Sequence, residues 1–376
     1  MLILHYKEQL AGGTAEDMNN SLKYMDIVRW TEEQIAAKLF RSGDRFLSEA
    51  GLGEKFGFSR QTVRRALQVL EERGYLVRVQ GSGTYISQQP EEKKAPASMT
   101  VGIISSYPDD YIFPGIIRGI EEVMTANGYS LQLKFTKNLI SGETDALRGM
   151  LDSDLDGLIV EPTKSGLPSM NIHLYNAILE SGMPMVFMDS RHADVPAPCV
   201  SMDDEEAGYI ATKHLYEMGH RKIAGLFAMN HHQGRMRYLG HITALRDMGL
   251  PVIDDRIFWY SKENLPEILG GRLLLRGLSE CTAVVCYNDK LALRLPELLK
   301  QHDMRIPQDL SVVSIDNCEL ASVCSLTSVA HPRERLGEAA ANLLLSIIGG
   351  GEGKDIVFPA KLVVRSSVKK LPGKGN

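Results

Sequence analysis

Cysteine is scarce in this chain: there are five among 376 residues, an odd number with no Cys-x-x-Cys pair. That pattern argues against a disulfide framework and fits reduced thiols. Cys281 and Cys286 have no further Cys or His at ligand spacing, so no metal site is expected. No apolar run approaches the roughly 20 residues that span a bilayer. Residues 1–13 lack the basic flank and apolar length of a secretory signal. A cytoplasmic protein without a membrane partner is therefore expected. The glycine run 349–353 lacks the Gly-Lys-Ser/Thr ending of a phosphate loop. Without an activated nucleophile, a metal cluster or a nucleotide loop, neither enzyme activity nor a cofactor is expected.

What is present divides along the chain. The length suits two or three domains. Residues 21–88 carry 11 Lys+Arg against 8 Asp+Glu, and the remainder carries 31 against 39. A basic small domain on an acidic large one suggests that the first meets a polyanion. Residues 1–20 are polar and aperiodic and read as a disordered tail. Residues 21–87 form the first domain, the Pro- and Lys-containing stretch 88–98 reads as a linker, and 99–376 form the second domain.

The most specific signal lies between Ser59 and Thr84. Three helices and a hairpin are expected: one helix over about 22–41, a second from Ser48, a third from Ser59 to near Gly74. The hairpin is expected at Tyr75–Gln80 and Thr84–Ile86. On the third helix Val63, Ala66, Leu67 and Leu70 repeat at i, i+3, i+4, i+7 and face a core. The opposite face carries Arg60, Gln61 and Arg64, with Arg65 at its edge. Arg pairs with guanine and Gln with adenine in the major groove. The first turns of a recognition helix are where base edges are met. The tip Gly81-Ser82-Gly83, flanked by Gln80, lets backbone approach a phosphate or the minor groove without Cβ clashes. The plain alternative, a solvated basic helix face, does not account for the glycine stop and glycine-tipped wing that follow.

The second domain alternates strands and helices. Strands are expected at 101–105, 131–135, 157–161, 185–189, 223–228, 283–287, 311–316 and 356–364. Such alternation gives an α/β fold, a doubly wound parallel sheet, here large enough for two lobes. Ligands bind such sheets at the carboxyl ends of the strands. Glu161, Asp189, Asn288 and Asp316 stand there, with Arg237 near the start of a helix and Tyr111 and Phe113 after the first strand. Carboxylates, an amide and an arginine around aromatic rings suit a sugar. Asp203, Asp204 and Asn317 read as helix caps, and His231 and His232 as loop residues. His331, beside Pro332 at a domain crossing, is the histidine with a functional reading.

Residues 22–87 resemble the GntR-family winged helix-turn-helix. The residues that carry this are Leu47-Ser48-Glu49, Phe56-Gly57-Phe58-Ser59-Arg60-Gln61-Thr62-Val63-Arg64-Arg65-Ala66-Leu67, Gly74-Tyr75 and Gln80-Gly81-Ser82-Gly83-Thr84-Tyr85. The resemblance implies DNA contacts from Glu49, Arg60, Arg64 and Gln80-Gly81, and a phosphate contact from Lys23. The family's proline before Ser-Glu is Leu47 here, and Gly51 and Gly53 weaken the second helix by up to about 1 kcal/mol each. Residues 99–370 resemble the LacI/GalR effector domain, of type I periplasmic-binding-protein fold. Asp156-Gly-Leu-Ile-Val160, His214-Leu-Tyr-Glu-Met-Gly-His-Arg-Lys-Ile223, Asn288-Asp289 and Ile306-Pro-Gln-Asp-Leu-Ser-Val-Val-Ser-Ile-Asp316 carry it. The combination resembles the arabinose-operon repressors of Firmicutes. It implies a homodimeric repressor on duplex operator DNA, released by a small sugar effector, L-arabinose foremost. Its effector pocket would use Tyr111, Glu161, Asp189, Arg237, Asn288 and Asp316. Another effector (ribose, a galactoside or a purine) and a solute-binding protein are the alternatives. Arg237 precedes Gly240-His241, where the family carries Gly-aromatic.

Overall fold

The computed structural model describes residues 15–37, 39–79, 82–87, 97–107 and 112–372. The chain divides into two compact units, Met1–Pro96 and Ala97–Asn376. Gln80, Gly81 and Tyr111, and the side chain of Lys23, lie outside the described residues, as do residues 1–14 and most of the expected linker.

The first unit holds α1 (Ala15–Ala36), α2 (Glu49–Phe56), α3 (Arg60–Glu72), β1 (Leu76–Val79) and β2 (Gly83–Ile86). The two strands form an antiparallel hairpin that pairs Leu76 with Ile86 and Val79 with Gly83. The expectations for its first part need correction. The helix begins at Ala15, inside the expected tail. It ends at Ala36 instead of reaching residue 41, and the Leu39 and Phe40 amides turn back onto the Gln34 carbonyl. Leu39 is 68% exposed.

The other helices start and stop as their caps dictate. Ser48 Oγ accepts from the Gly51 amide at 3.1 Å, and Ser59 Oγ accepts from the Thr62 amide at 3.3 Å. Gly57 and Gly74 end α2 and α3 in left-handed conformations, with φ of 68° and 76°. Val63, Ala66, Leu67 and Leu70 are all buried, together with Ile27, Val28, Leu52, Leu76 and Ile86. The apolar stripe of α3 therefore packs inward and turns Arg60, Gln61 and Arg64 outward.

The second unit contains two six-stranded sheets. One joins β3 (Thr100–Ser105), β4 (Ser130–Phe135), β5 (Gly157–Val160), β6 (Met185–Met188), β7 (Cys199–Met202) and β13 (Ile356–Phe358). The other joins β8 (Ile223–Ala228), β9 (Ile257–Tyr260), β10 (Ala283–Cys286), β11 (Ser311–Asp316), β12 (Thr327–Ala330) and β14 (Lys361–Val363). All neighbours are parallel except β12 and β14. Each sheet, with its helices, makes one lobe.

β7, β9 and β12 add to the strands expected from sequence, and the strand expected over 356–364 is not one piece. That strand breaks at Pro359, which offers no N–H to a ladder. Its halves pair in different lobes, Ile356–Phe358 beside β7 and Lys361–Val363 beside β12. The chain crosses between lobes at three places: after Met202, after Ala330 and after Phe358. The carboxyl ends of β5, β6, β10 and β11 open toward the cleft between the lobes, where a cavity forms.

Candidate DNA interface and effector pocket

In the first unit, Glu49 organises the arginines of the recognition face. Its carboxylate accepts from Arg60 Nε at 3.2 Å and from Arg64 Nε at 3.1 Å. Arg78 Nη2 of β1 stands 3.5 Å away. Burial works against the ionised carboxylate, but the two guanidinium groups of α3 outweigh it and hold the Glu49 pKa below its usual value. Arg60 and Arg64 keep 76% and 59% of their side-chain surface exposed. Gln61 is exposed beside them. Arg65 leans away: its Nη1 donates to Gln68 Oε1 at 3.3 Å, and its guanidinium lies 6.0 Å from the Tyr24 ring. The Ser59 hydroxyl is engaged in the cap of α3 and with Thr62 Oγ1 at 2.9 Å. On the wing, Ser82 Oγ pairs with the Tyr85 hydroxyl at 2.6 Å. Gly83 adopts φ of 131° and sits against the Arg45 guanidinium, where a Cβ would come within 3.2 Å. Arg78 and Arg45 went unnoticed in the sequence because neither lies on the periodic face of a helix.

The cavity of the second unit has a volume of about 490 Å³ and is lined from both lobes. Glu161 and Asp189 come from one lobe and Arg237, Asn288 and Asp316 from the other. Arg237 is the hub. Its Nε donates to Asp204 Oδ1 at 2.7 Å, its Nη1 to the Tyr287 carbonyl at 2.6 Å, and its Nη2 lies 3.3 Å from Asp316 Oδ1. Its guanidinium lies 4.7 Å from the Tyr287 ring centre. Only 3% of its side chain is exposed. Burial alone would favour loss of its charge, but Asp204 and Asp316 hold it firmly ionised. Burial pushes the Asp204 carboxyl up to about 6 against the pull of Arg237, so Asp204 remains the anionic partner at neutral pH.

Asp189 is held across a chain crossing. His331 Nε2 donates to Asp189 Oδ1 at 2.8 Å, and Gln233 Nε2 donates to Oδ2 at 2.7 Å. Burial raises the Asp189 pKa, but His331 and Arg237 overcome it and the net shift is downward. Burial lowers the His331 pKa, yet the hydrogen bond and charge of Asp189 reverse that and hold it above its usual value. Glu161 behaves oppositely. Its Oε2 accepts from Ser105 Oγ at 2.8 Å and from the Ser106 amide at 2.6 Å. Burial, joined by the Asp189 charge, pushes its pKa up to about 8. A shift of this direction favours the protonated carboxyl at neutral pH. Asp189 and Asp316 both have left-handed backbone, with φ of 64° and 104°; strain of this kind gathers at ligand clamps.

Apolar rings complete the walls. Phe113, Tyr107, Tyr260 and Tyr287 line the cavity with Lys262. The ammonium of Lys262 donates to the Tyr107 hydroxyl at 2.7 Å from the opposite lobe. A second set of bridges joins the lobes nearby. Arg235 Nη1 donates to the Gly166 carbonyl at 2.6 Å, the Gly166 amide to the Asn230 carbonyl at 3.1 Å, and the His232 amide to Ser165 Oγ at 3.1 Å. Lys164 Nζ reaches Glu263 at 3.3 Å.

Several sequence readings need correction. Asp204 is not a cap: Asp203 is the cap, accepting from the Glu206 amide at 2.8 Å, and the adjacent Asp204 side chain turns inward to Arg237. Asn317 does not cap a helix either; its Oδ1 accepts from Arg365 Nη2 at 2.8 Å. His231 is more than a loop residue, since it lines the cavity and stacks on Tyr287 with 6.3 Å between ring centres. Asn288 lines the cavity and also caps the next helix, its Oδ1 accepting from the Leu291 amide at 3.0 Å. His241 takes the place of the family's aromatic. It is fully buried, 5.5 Å from the Phe227 ring centre, and burial lowers its pKa to about 3, so it packs as a neutral ring. Tyr260 and Lys262 were legible in principle, because the aromatic run Phe258-Trp259-Tyr260 is a strand signal.

Among the described residues no group of three or more His, Cys, Asp or Glu is arranged to hold a metal ion, and no helix is long and apolar enough to cross a membrane. Residues 23–86 match the gntR family of bacterial regulatory proteins, and residues 212–368 match the periplasmic binding protein-like domain. The arabinose metabolism transcriptional repressor of Geobacillus stearothermophilus is 36% identical over 93% of this chain and 98% of its own length. That of Halalkalibacterium halodurans is 34% identical over 92% and 96%. Among solved structures, the transcription regulator CcpA of Lactococcus lactis superposes with a TM-score of 0.64 at 25% identity, covering 72% of this chain and 99% of that one. A LacI family regulator of Enterococcus faecium, solved with bound ribose, superposes with a TM-score of 0.61 at 25% identity over 73% and 100%. These relatives are regulators, not enzymes, and the chain belongs to the family of the arabinose metabolism transcriptional repressors, in which a GntR-type DNA-binding head is joined to a periplasmic-binding-protein-like domain.

Proposed function

We propose that the effector of this repressor is L-arabinose, held in the interlobe cavity, and that its binding releases operator DNA. The observation that carries the reading is the polar set converging from both lobes: Glu161 and Asp189 on one side, Arg237 and Asp316 on the other. Ionised Asp189 accepts from hydroxyls, protonated Glu161 and Arg237 donate, and the rings of Phe113 and Tyr260 line the same cavity. The volume suits a small ligand, and the names of two relatives supply the sugar. No cofactor is needed for such a switch.

A ligand shifts the protein only through unequal affinity for its two states. A sugar bridging Asp189 and Arg237 would favour the closed arrangement in which Lys262 meets Tyr107 and Gly166 meets Asn230. In a homodimer, closure would move the two heads out of register with paired half-sites one helical turn or its multiples apart. The protein would work in the cytoplasm, where its operator is.

Isothermal calorimetry with L-arabinose, D-ribose, a galactoside and a purine tests the effector. Tight binding of L-arabinose and at least tenfold weaker binding of the others supports the proposal. Preference for ribose or a purine would reassign the effector and leave the fold and family untouched. Sedimentation equilibrium tests the dimer, and a monomer at operator-binding concentrations would contradict it.

A further inference from the structure

The recognition face holds one arginine more than the DNA-binding motif uses. Arg78 lies within β1, paired across the hairpin with Thr84. Its Nη2 stands 3.5 Å from Glu49 Oε1 and its Nε 3.6 Å from Glu71 Oε1. Its side chain is 58% exposed. Glu71 continues the line of Arg60 and Arg64 along α3, since residues seven and eleven positions apart share a helix face. Arg78 therefore extends the arginine row from the helix onto the wing.

The charges do not balance. Three guanidinium groups share the carboxylates of Glu49 and Glu71, which leaves one positive charge in excess. Both of Arg78's own pairs are long, at 3.5 Å and 3.6 Å, and exposed pairs of this kind hold weakly. They can be exchanged at little cost. A guanidinium fork that fits a carboxylate also fits the oxygens of a phosphodiester. Position separates Arg78 from Arg60 and Arg64: the first turns of a recognition helix meet base edges, whereas a strand beside it flanks the groove, where the sugar-phosphate backbone runs.

We propose that Arg78 is a phosphate-anchoring residue of the DNA interface, exchanging Glu49 and Glu71 for a duplex phosphate when the head docks. This rests on the DNA-binding role of the head. The test uses the full chain, with operator selected from random duplex, an unrelated duplex and a series of salt concentrations. Arg78→Ala should weaken binding to both duplexes by the same factor and make the slope of log affinity against log salt shallower by about 0.9. Arg78→Lys should keep the slope, because the charge remains. Arg78→Gln preserves side-chain length and should match Arg78→Ala, with an unchanged thermal midpoint. Weaker binding at an unchanged slope, with a lowered midpoint, would assign Arg78 to holding the wing in place and overturn the proposal. A loss confined to one base pair of the operator would make it a base reader and overturn it equally. If the wild-type protein showed no salt-dependent operator binding, the reading of the head itself would fail, and the role of Arg78 with it.

Discussion

The two functional regions use the same pair of chemical groups in opposite settings. On the head, Glu49 gathers Arg60 and Arg64 at the surface, with 76% and 59% of the arginine side chains exposed. At the interlobe cavity, Arg237 gathers Asp204 and Asp316 with all three at 7% exposure or less. Exposed pairs are worth about 0–1 kcal/mol and yield readily to a competing anion. A buried pair that loses one partner strands a charge, at a cost of about 3–5 kcal/mol. The head is thus built to let go of its own carboxylate and take up a polyanion. The cavity keeps its ion pairs and offers a ligand a fixed polar frame.

The largest expected effect falls on the buried side. Arg237→Ala should lower the stability of the effector domain by about 3–5 kcal/mol, read from urea unfolding, and should abolish the response to sugar. A loss below about 1 kcal/mol would mean that the buried cluster behaves like the exposed one. On the exposed side, Arg64→Ala should cost about 1–3 kcal/mol of operator affinity if it reads a guanine, with stability within about 1 kcal/mol of wild type and sugar affinity unchanged. Anisotropy titration with the operator checks this, and unchanged affinity would remove Arg64 from the interface.

A third variant tests whether the lobes must close against each other. A Cβ at Gly166 would lie 2.8 Å from the backbone of His231 in the opposite lobe. Gly166→Ala should therefore weaken sugar binding, by about 1–3 kcal/mol as for other overpacked contacts, and leave operator affinity in the absence of sugar unchanged. Equal sugar affinity in variant and wild type would show that this contact is not part of the bound state.

The smallest effect is one of pH. Glu161 is raised from the usual 4.5 to about 8. Its contribution to folding is therefore complete below 4.5 and lost as pH rises toward 8. Its role as a donor follows the same sense: sugar affinity should fall above pH 8, by up to about tenfold per pH unit. Glu161→Gln, a permanent donor, should flatten that fall. An affinity that rose with pH would mean that the sugar prefers the ionised carboxylate.

The legibility of the two regions differs for a physical reason. The face of α3 could be read because a helix repeats every 3.6 residues, so burying Val63, Ala66, Leu67 and Leu70 fixes where Arg60, Gln61 and Arg64 point. The cavity carboxylates were legible one at a time, because strand ends in a doubly wound sheet converge on the cleft. Their partners were not. Asp204 and Arg237 are 33 residues apart and meet only because the two helices that carry them pack together; in sequence, Asp204 is indistinguishable from a helix cap. His331 and Asp189, 142 residues apart, meet across a crossing whose existence follows from the four-residue strand β12, too short to show a period. The split of 356–364 between lobes depends on Pro359, a residue that marks an interruption but not its destination. Arg78 was hidden because a two-stranded wing has no buried face long enough to fix which side each residue takes.

On the proposed function, a sugar in the cavity controls the grip of the head on DNA. Fluorescence anisotropy of the selected operator bound to the wild-type protein, titrated with L-arabinose and in parallel with D-ribose, tests it most directly. L-arabinose should release the operator at concentrations where D-ribose does not. Operator affinity unmoved by saturating L-arabinose would contradict it.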